Sequence, residues 1–409
     1  MKSILYVLLI SLFGIHTHIL FGQNDAATDI RKSLQKQFIM AEEGDTIRIP
    51  AGNFFSDGSI SMDEKKNVVI MGAGKDKTII SFKKQKEGAE GIRIANSKNI
   101  KIMHLTIQDA KGDLIKVMDT EGIVFYDMKT EWTGKPKTKN GAYGFYPVSC
   151  SNVLIDKCDA IGASDAGIYV GQSHNIVVRN STAYHNVAGI EIENSTMADV
   201  YNCEAYENTG GILVFDLPDL PKKRGGNVRV YDNHVHDNNY RNFAPKGNSV
   251  SFVPPGSGVI ILAASDVDVY NNKIINNQTA STSIASYYFT ERPINDKEYY
   301  PFPTRIYIHD NVYERKRKKP ILKNKVGALF FLKFKKDVPH ILLDGIFDPE
   351  TLDESGQLKD EFKICVRNNG DADFVNLDAE HDFKGLSKDV APFDCERNEL
   401  KAPELTANN

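Results

Sequence analysis

A chain of 409 residues with 41% apolar and 25% charged residues can bury a sizeable core in one long domain or two ordinary ones, which excludes a disordered polypeptide. Its 50 basic and 54 acidic residues leave a net charge of −4, which argues against a nucleic-acid or anionic-membrane partner held by bulk electrostatics. The one strongly basic run, ERKRKK at 314–319, reads as a solvated loop.

In chain order, the first stretch is MKSILYVLLISLFG at 1–14, one cationic residue followed by a short apolar run. This is the pattern of an export signal, with Gly22 as the expected last residue removed. No later apolar stretch approaches the ~18 residues of a membrane span, so the expectation is an exported protein, periplasmic or secreted, with no span after signal removal. Within 23–45, Ile30, Leu34, Phe38 and Ile39 are assigned to one face of a capping helix. GDTIRIPAG at 44–52 then reads as the first strand and turn.

From there one phrase recurs, Asn or Asp, then Val or Ile, then any residue, then an apolar one. Ile155, Val178, Val200, Val230, Val269 and Ile308 occupy the same slot, with a period of 22 or 23 residues plus insertions. A second slot, usually glycine before an apolar pair, falls at Gly91, Leu114, Gly144, Gly167, Gly189, Gly211 and Gly258. Each unit alternates short apolar segments with Asn, Gly, Ser and Asp, the signature of strands and turns. One such unit cannot bury its apolar face alone, whereas stacked units can, so the period implies a solenoid. The Leu-x-x-Leu-x-Leu pattern of a leucine-rich repeat is absent, which leaves a right-handed parallel β-helix over 46–335, about nine or more coils. Residues 336–409 lose the period and read as a compact C-terminal cap and tail.

Cys158, Ser181, Cys203, Asn233, Asn272 and Asn311 form one column of small polar residues, read as a ladder that satisfies turn backbone. Of the five cysteines, Cys365 and Cys395 are able to pair and close the C-terminal segment, although connectivity does not follow from sequence. GAGK at 72–75 imitates a phosphate loop but lacks its spacing.

The outer places of the glycine-slot strand, read down the stack, are Arg93, Lys116, Tyr146, Tyr169, Glu191, Leu213 and Ile260. Their inward neighbours, such as Ile168 and Ile190, fill the core, so this column faces solvent unless a loop covers it. Insertions at 129–143, 216–226, 234–257 and about 284–303 leave from only two corners and are expected to wall that column. Trp132 and Arg241 lie in two of these loops, Trp132 as a surface anchor or equally as a loop staple. Glu191 and Glu193 point outward on one strand, with Asp165 on the preceding turn and Asp216 one coil on. Paired carboxylates are what a glycoside hydrolase needs, and clustered ones also suit Ca²⁺; no other cofactor is implied.

The helix, GDTIRIPAG and the Gly-Ile-x-Ile/Val coils resemble the right-handed parallel β-helix proteins of the pectate-lyase-like superfamily, over roughly residues 25–335. GASDAGIYVGQS at 162–173, VAGIEIENS at 187–195 and GGILVFDLP at 210–218 are similar, more narrowly, to a family of exported bacterial β-helix repeat proteins. That narrower resemblance implies an exported c-type-cytochrome-like partner. YGFYPV at 143–148 resembles the Tyr-Gly-Phe-Asp-Pro-His motif of mannuronan epimerases, in which the Asp neutralises the uronate and His and Tyr exchange the C5 proton. Here Tyr143 is kept but Tyr146 and Val148 stand at the Asp and His places, so the acid and base of that chemistry are missing.

Two expectations follow. The first is an exported β-helix protein that binds or processes an acidic polysaccharide through Lys116, Trp132, Tyr143, Tyr146, Tyr169, Glu191, Asp216 and Arg241; any enzymatic activity would be of polyuronate-lyase or epimerase type. The alternative is a non-catalytic periplasmic scaffold for an exported redox protein. No metal site is expected beyond Ca²⁺ at the clustered carboxylates.

Overall fold

The computed structural model describes residues 28–405, so the stretch 1–22 expected to be an export signal lies outside the described residues. Thirty-three strands form three parallel sheets of eleven strands each, one strand of every coil going to each sheet. We call these the first sheet (Thr28–Asp29 to Val312–Glu314), the second (Gly58–Asp63 to Phe374–Asn376) and the third (Thr46–Arg48 to Ile364–Arg367). A representative coil runs through Ala166–Gly171, His174–Arg179 and Thr182–Tyr184 before Ala188–Glu193 begins the next. Ten intervals of ~4.8 Å give each eleven-strand sheet a length of about 48 Å. Among the described residues, no helix is long and apolar enough to cross a membrane.

The recurring sequence phrase has a backbone cause. At the corner between the third and first sheets, Asn180, Asn202, Asp232, Asn271 and Asp310 all have positive φ, a conformation that Asn and Asp tolerate better than other side chains. The residue after each points inward. Asn233, Asn272, Asn311 and Asn369 each pass a side-chain oxygen to the backbone N–H of the coil before, at 2.9–3.1 Å. Cys158 N–H donates to Ser181 Oγ at 3.1 Å in the same column, as a polar ladder requires. A second ladder at the next corner was not read from the sequence: Asn186, Asn208, Asn238 and Asn277 accept from the preceding coil at 2.8–3.2 Å. Between the ladders the interior is apolar, with Ile168, Ile190, Ile212 and Val259 fully buried and in register.

Both ends of the stack are covered. Helix Arg31–Met40 buries Leu34 and Phe38, and Ile30 is buried just before it. Ile39 is 64% exposed; five residues beyond Leu34 it lies about 140° off the buried face. Gln35 both donates to Ser61 O at 2.8 Å and accepts from Ser61 N–H at 2.9 Å, so its amide mimics a neighbouring strand on the free edge of Gly58–Asp63. At the other end the solenoid runs past 335. Strands Ile341–Leu343, Ile364–Arg367 and Phe374–Asn376 extend the second and third sheets, and the insertions around helix Lys325–Phe334 and at 344–363 hide the period without breaking the register. Cys365 and Cys395 are disulfide-bonded. Arg315, in the basic run, is buried rather than solvated and donates to Asn277 O and Val338 O.

The tail folds back over the third sheet. Arg229 Nη1 lies 3.2 Å from Glu399, Asn227 donates to Lys401 O, Asn175 donates to Glu404 O, and Leu405 packs against Val124, Leu154 and Val177.

Candidate functional site

The outward column of the second sheet is in the expected register, with Lys116 beside Tyr146 and Tyr169 beside Glu191 and then Leu213 and Ile260. It does not face open solvent. Leu213, Phe215 and Ile260 are buried under Phe243, Val250, Val253, Tyr287 and Tyr299 from the 234–257 and 284–303 loops. These walls are fixed to each other and to the scaffold: Lys223 pairs with Asp296 at 2.8 Å, Tyr299 Oη donates to Asp216 O at 2.6 Å, and Arg292 donates to Asn248 O at 3.0 Å.

Where the apolar cover ends, a cleft of about 510 Å³ opens. Tyr143, Tyr146 and Tyr169 form one side as a cluster of rings with centroids 4.4–5.0 Å apart. Asp165, Glu191, Glu193 and Gln172 form the base, and Leu217, Asp219, Asn248 and Tyr287 come from the loops. Tyr169 crosses its own strand to donate to Glu193 Oε1 at 2.5 Å. Gly171 makes room for this, because a Cβ there would stand 2.1 Å from the Tyr169 hydroxyl. Asn248 donates to Asp165 at 3.2 Å.

Among the described residues, no lysine or arginine lines this cleft. Asp165, Glu191 and Glu193 are 4%, 1% and 7% exposed, and burial without a countercharge favours the neutral acid. Burial, with Glu193 nearby, pushes Asp165 up to about 7. Burial likewise pushes Glu193 up to about 7, against the opposing pull of the Tyr169 hydrogen bond. Glu191 is raised well above the usual carboxylate range, by burial first and then by Glu193 and Asp165. Its Oε2 is buried with no hydrogen-bond partner, and so is Gln172 Oε1 beside it. Two acceptor-bearing side chains that line one cleft are thus left without a protein donor on these buried atoms.

Of the residues expected from sequence, Tyr143, Tyr146, Tyr169 and Glu191 are brought together here. Lys116 sits at the rim with Nζ 5.0 Å from the Tyr146 ring. Asp216 lies behind the cleft, its carboxylate accepting from Gly225 N–H at 2.8 Å, and it raises Glu193 from there. Trp132 is not a surface anchor. It is buried in the core and its indole N–H donates to Ala110 O at 2.8 Å, so it staples its loop. Arg241 is exposed outside the cleft lining, 3.5 Å from Pro136 O. Gln172, Asn248 and Tyr287 were missed; Asn248 and Tyr287 come from insertions without local periodicity, and Gln172 is an ordinary corner residue with φ of 51°.

Residues 64–219 match the family described as right handed beta helix region. The A-module of the Azotobacter vinelandii mannuronan C-5 epimerase AlgE4 superposes with a TM-score of 0.51 at 15% identity, over 84% of this chain and 91% of that one. The AlgE6 A-module of the same organism gives 0.50 at 15% identity, over 85% and 92%. An alginate lyase from Paenibacillus sp. str. FPU-7 gives 0.46 at 14% identity, over 70% and 97%. No curated protein sequence matches the chain. The fold is therefore a right-handed parallel β-helix.

Proposed function

We propose that the cleft on the second sheet binds a glycan and hydrolyses a glycosidic bond in it, with Glu191 as general acid and Glu193 as the carboxylate that activates water. The observation that carries this reading is the buried, uncompensated carboxylate group beside a tyrosine cluster. Its members differ in environment: nothing stabilises ionised Glu191, whereas Tyr169 donates to Glu193 and favours its anion. Two carboxyls whose surroundings push their proton affinities apart divide into an acid and a base. In the proposed step Glu191 gives its proton to the glycosidic oxygen as that bond breaks. Glu193 takes a proton from the water that attacks the anomeric carbon. Tyr143 and Tyr146 give the cleft an aromatic wall against which a sugar would pack, and Asp165, held by Asn248, is placed to accept from a hydroxyl.

Polyuronate lyase or epimerase chemistry is less well supported, since it needs a base beside C5 and Val148 stands where the epimerase motif has histidine. The described neighbours that act on mannuronan or alginate support a carbohydrate ligand only at the level of a shared fold. An acidic polysaccharide meets like charge in this cleft unless its carboxyls are protonated. Retention of alginate or pectate should therefore rise as pH falls below about 7, where Asp165 and Glu193 take up protons. Ca²⁺ held by these oxygens is the other way to admit a polyuronate, and calcium-dependent retention would reveal it.

The test is incubation of the chain with neutral and acidic glycans, read by new reducing ends, by ultraviolet absorbance of unsaturated products, and by retention on immobilised glycan. Reducing ends without unsaturation, abolished by Glu191→Gln, are expected. Unsaturated products would replace hydrolysis with elimination. No turnover and no retention on any glycan would return the chain to the scaffold reading.

A further inference from the structure

The first sheet carries a cluster unrelated to the cleft. Strand His234–His236 places His234 and His236 on its outer face, since residues two apart on a strand point the same way. Glu204 on the neighbouring strand Glu204–Tyr206 is in direct register with His234. Glu204 Oε1 is 3.5 Å from His234 Nδ1 and 3.1 Å from His236 Nε2, and the three ligand atoms lie within 4.8 Å of one another. A tetrahedral Zn²⁺ site with bonds of ~2.0–2.1 Å has ligand-to-ligand edges of ~3.3 Å, which these two separations bracket.

The surroundings orient the ligands. Asp237 lies 3.0 Å from His236 Nδ1, so a proton there leaves the Nε2 lone pair facing Glu204, the carboxylate–histidine arrangement that supports a metal-bound imidazole. Tyr206 stacks on His236 with ring centroids 5.2 Å apart and planes 7° apart, and Tyr184 stacks on Tyr206 in turn, which fixes the His236 ring plane. The His234 and His236 rings are 4.0 Å apart. One group opposes a cation here: Lys273 is in register with His234 on the next strand.

We propose that Glu204, His234 and His236 form a Zn²⁺ site with one open coordination position. His234 is 44% and Glu204 46% exposed, so the open position faces outward, where water or a donor from another molecule completes the tetrahedron. Among the described residues, the other histidine–carboxylate pairs on the solenoid, such as His104 with Asp127, His185 with Glu207 and His309 with Asp268 and Asp310, contain one imidazole each.

Calorimetric titration of the full chain with ZnCl₂ in a non-chelating buffer at neutral pH is the direct test, with Co²⁺ absorption to report coordination number. One equivalent bound, with the visible spectrum of four-coordinate Co²⁺, is expected. The double variant H234A/H236A should weaken binding by at least ~100-fold, and Asp237→Asn by ~10-fold through lost ligand support. Lys273→Gln should tighten it. All these side chains lie at the surface, and circular dichroism verifies that each variant is folded. Less than one equivalent bound by the wild type, or wild-type affinity in the double variant, overturns the proposal.

Discussion

Adjacent faces of the same coils treat buried acids in opposite ways. On the third sheet, Asp199 receives two bonds from Arg229, at 2.6 and 2.8 Å, and Asp156 receives Arg179 at 2.9–3.0 Å and Asn180 at 2.8 Å. On the second sheet, Glu191 and Glu193 belong to the same turn of the solenoid as Asp199, are equally buried, and have no lysine or arginine beside them in the cleft among the described residues. The first set neutralises itself and needs nothing further. The second retains unsatisfied acceptor capacity in a space large enough for a sugar. Burial of an acid alone therefore does not single out a candidate site in this fold; burial without a countercharge, beside a cleft, is what sets the proposed site apart.

Substitutions on the two faces should separate accordingly. The largest expected effect is on the second sheet: Glu191→Gln or Glu193→Gln should lower glycan turnover by about 10²–10⁴-fold, the usual contribution of a general acid or base, without lowering stability to urea. Stability loss comparable to that of an ion-pair variant would show that these acids are structural instead. On the third sheet, Arg229→Met strands Asp199 and should cost about 3–5 kcal/mol in a urea melt while leaving turnover intact.

The pH dependence should differ as well. Asp165 and Glu193 bind protons more tightly in the folded chain, with values moved from 3.8 and 4.5 to about 7. Their contribution is thus fully present below about 4 and is lost as pH rises through about 7. The scale is on the order of 1 kcal/mol per pKa unit, so the wild-type melting temperature should fall between pH 4 and 7 relative to Glu193→Gln. A parallel pair of curves would refute the uncompensated state. The smallest effect belongs to Trp132→Phe, which loses the bond to Ala110 O and should cost about 1 kcal/mol with glycan retention unchanged. Lost retention would restore Trp132 to the binding surface.

Much of this was legible because a solenoid repeats. The register of the tyrosine and glutamate column, the polar ladder through Asn233, Asn272 and Asn311, and the loops walling one face all follow from spacing. What the period does not encode is what insertions do once they fold back. That the column is roofed by Phe243 and Tyr299, that Asn248 reaches Asp165, and that Trp132 turns inward are long-range contacts without local pattern. The second asparagine ladder was available, since Asn186 and Asn208 stand three residues before Gly189 and Gly211. His-Val-His at 234–236 was visible too, but its partner Glu204 is thirty residues away and meets it only through the coil register.

The tail that crosses the third sheet changes how such a stack can come apart. Coils in a solenoid touch only their neighbours, so an end coil is free to fray while the middle stays intact. Here Cys395 is tethered to the last strand of that sheet, and the ten residues that follow can span roughly 33 Å, at ~3.3 Å each, to reach Val177, Leu154 and Val124 near the middle. Peeling off the last coil therefore also detaches the tail from coils far from the end. A chain built from local contacts thereby acquires one long-range latch, so that fraying of its last coil also costs the contacts the tail makes at the middle.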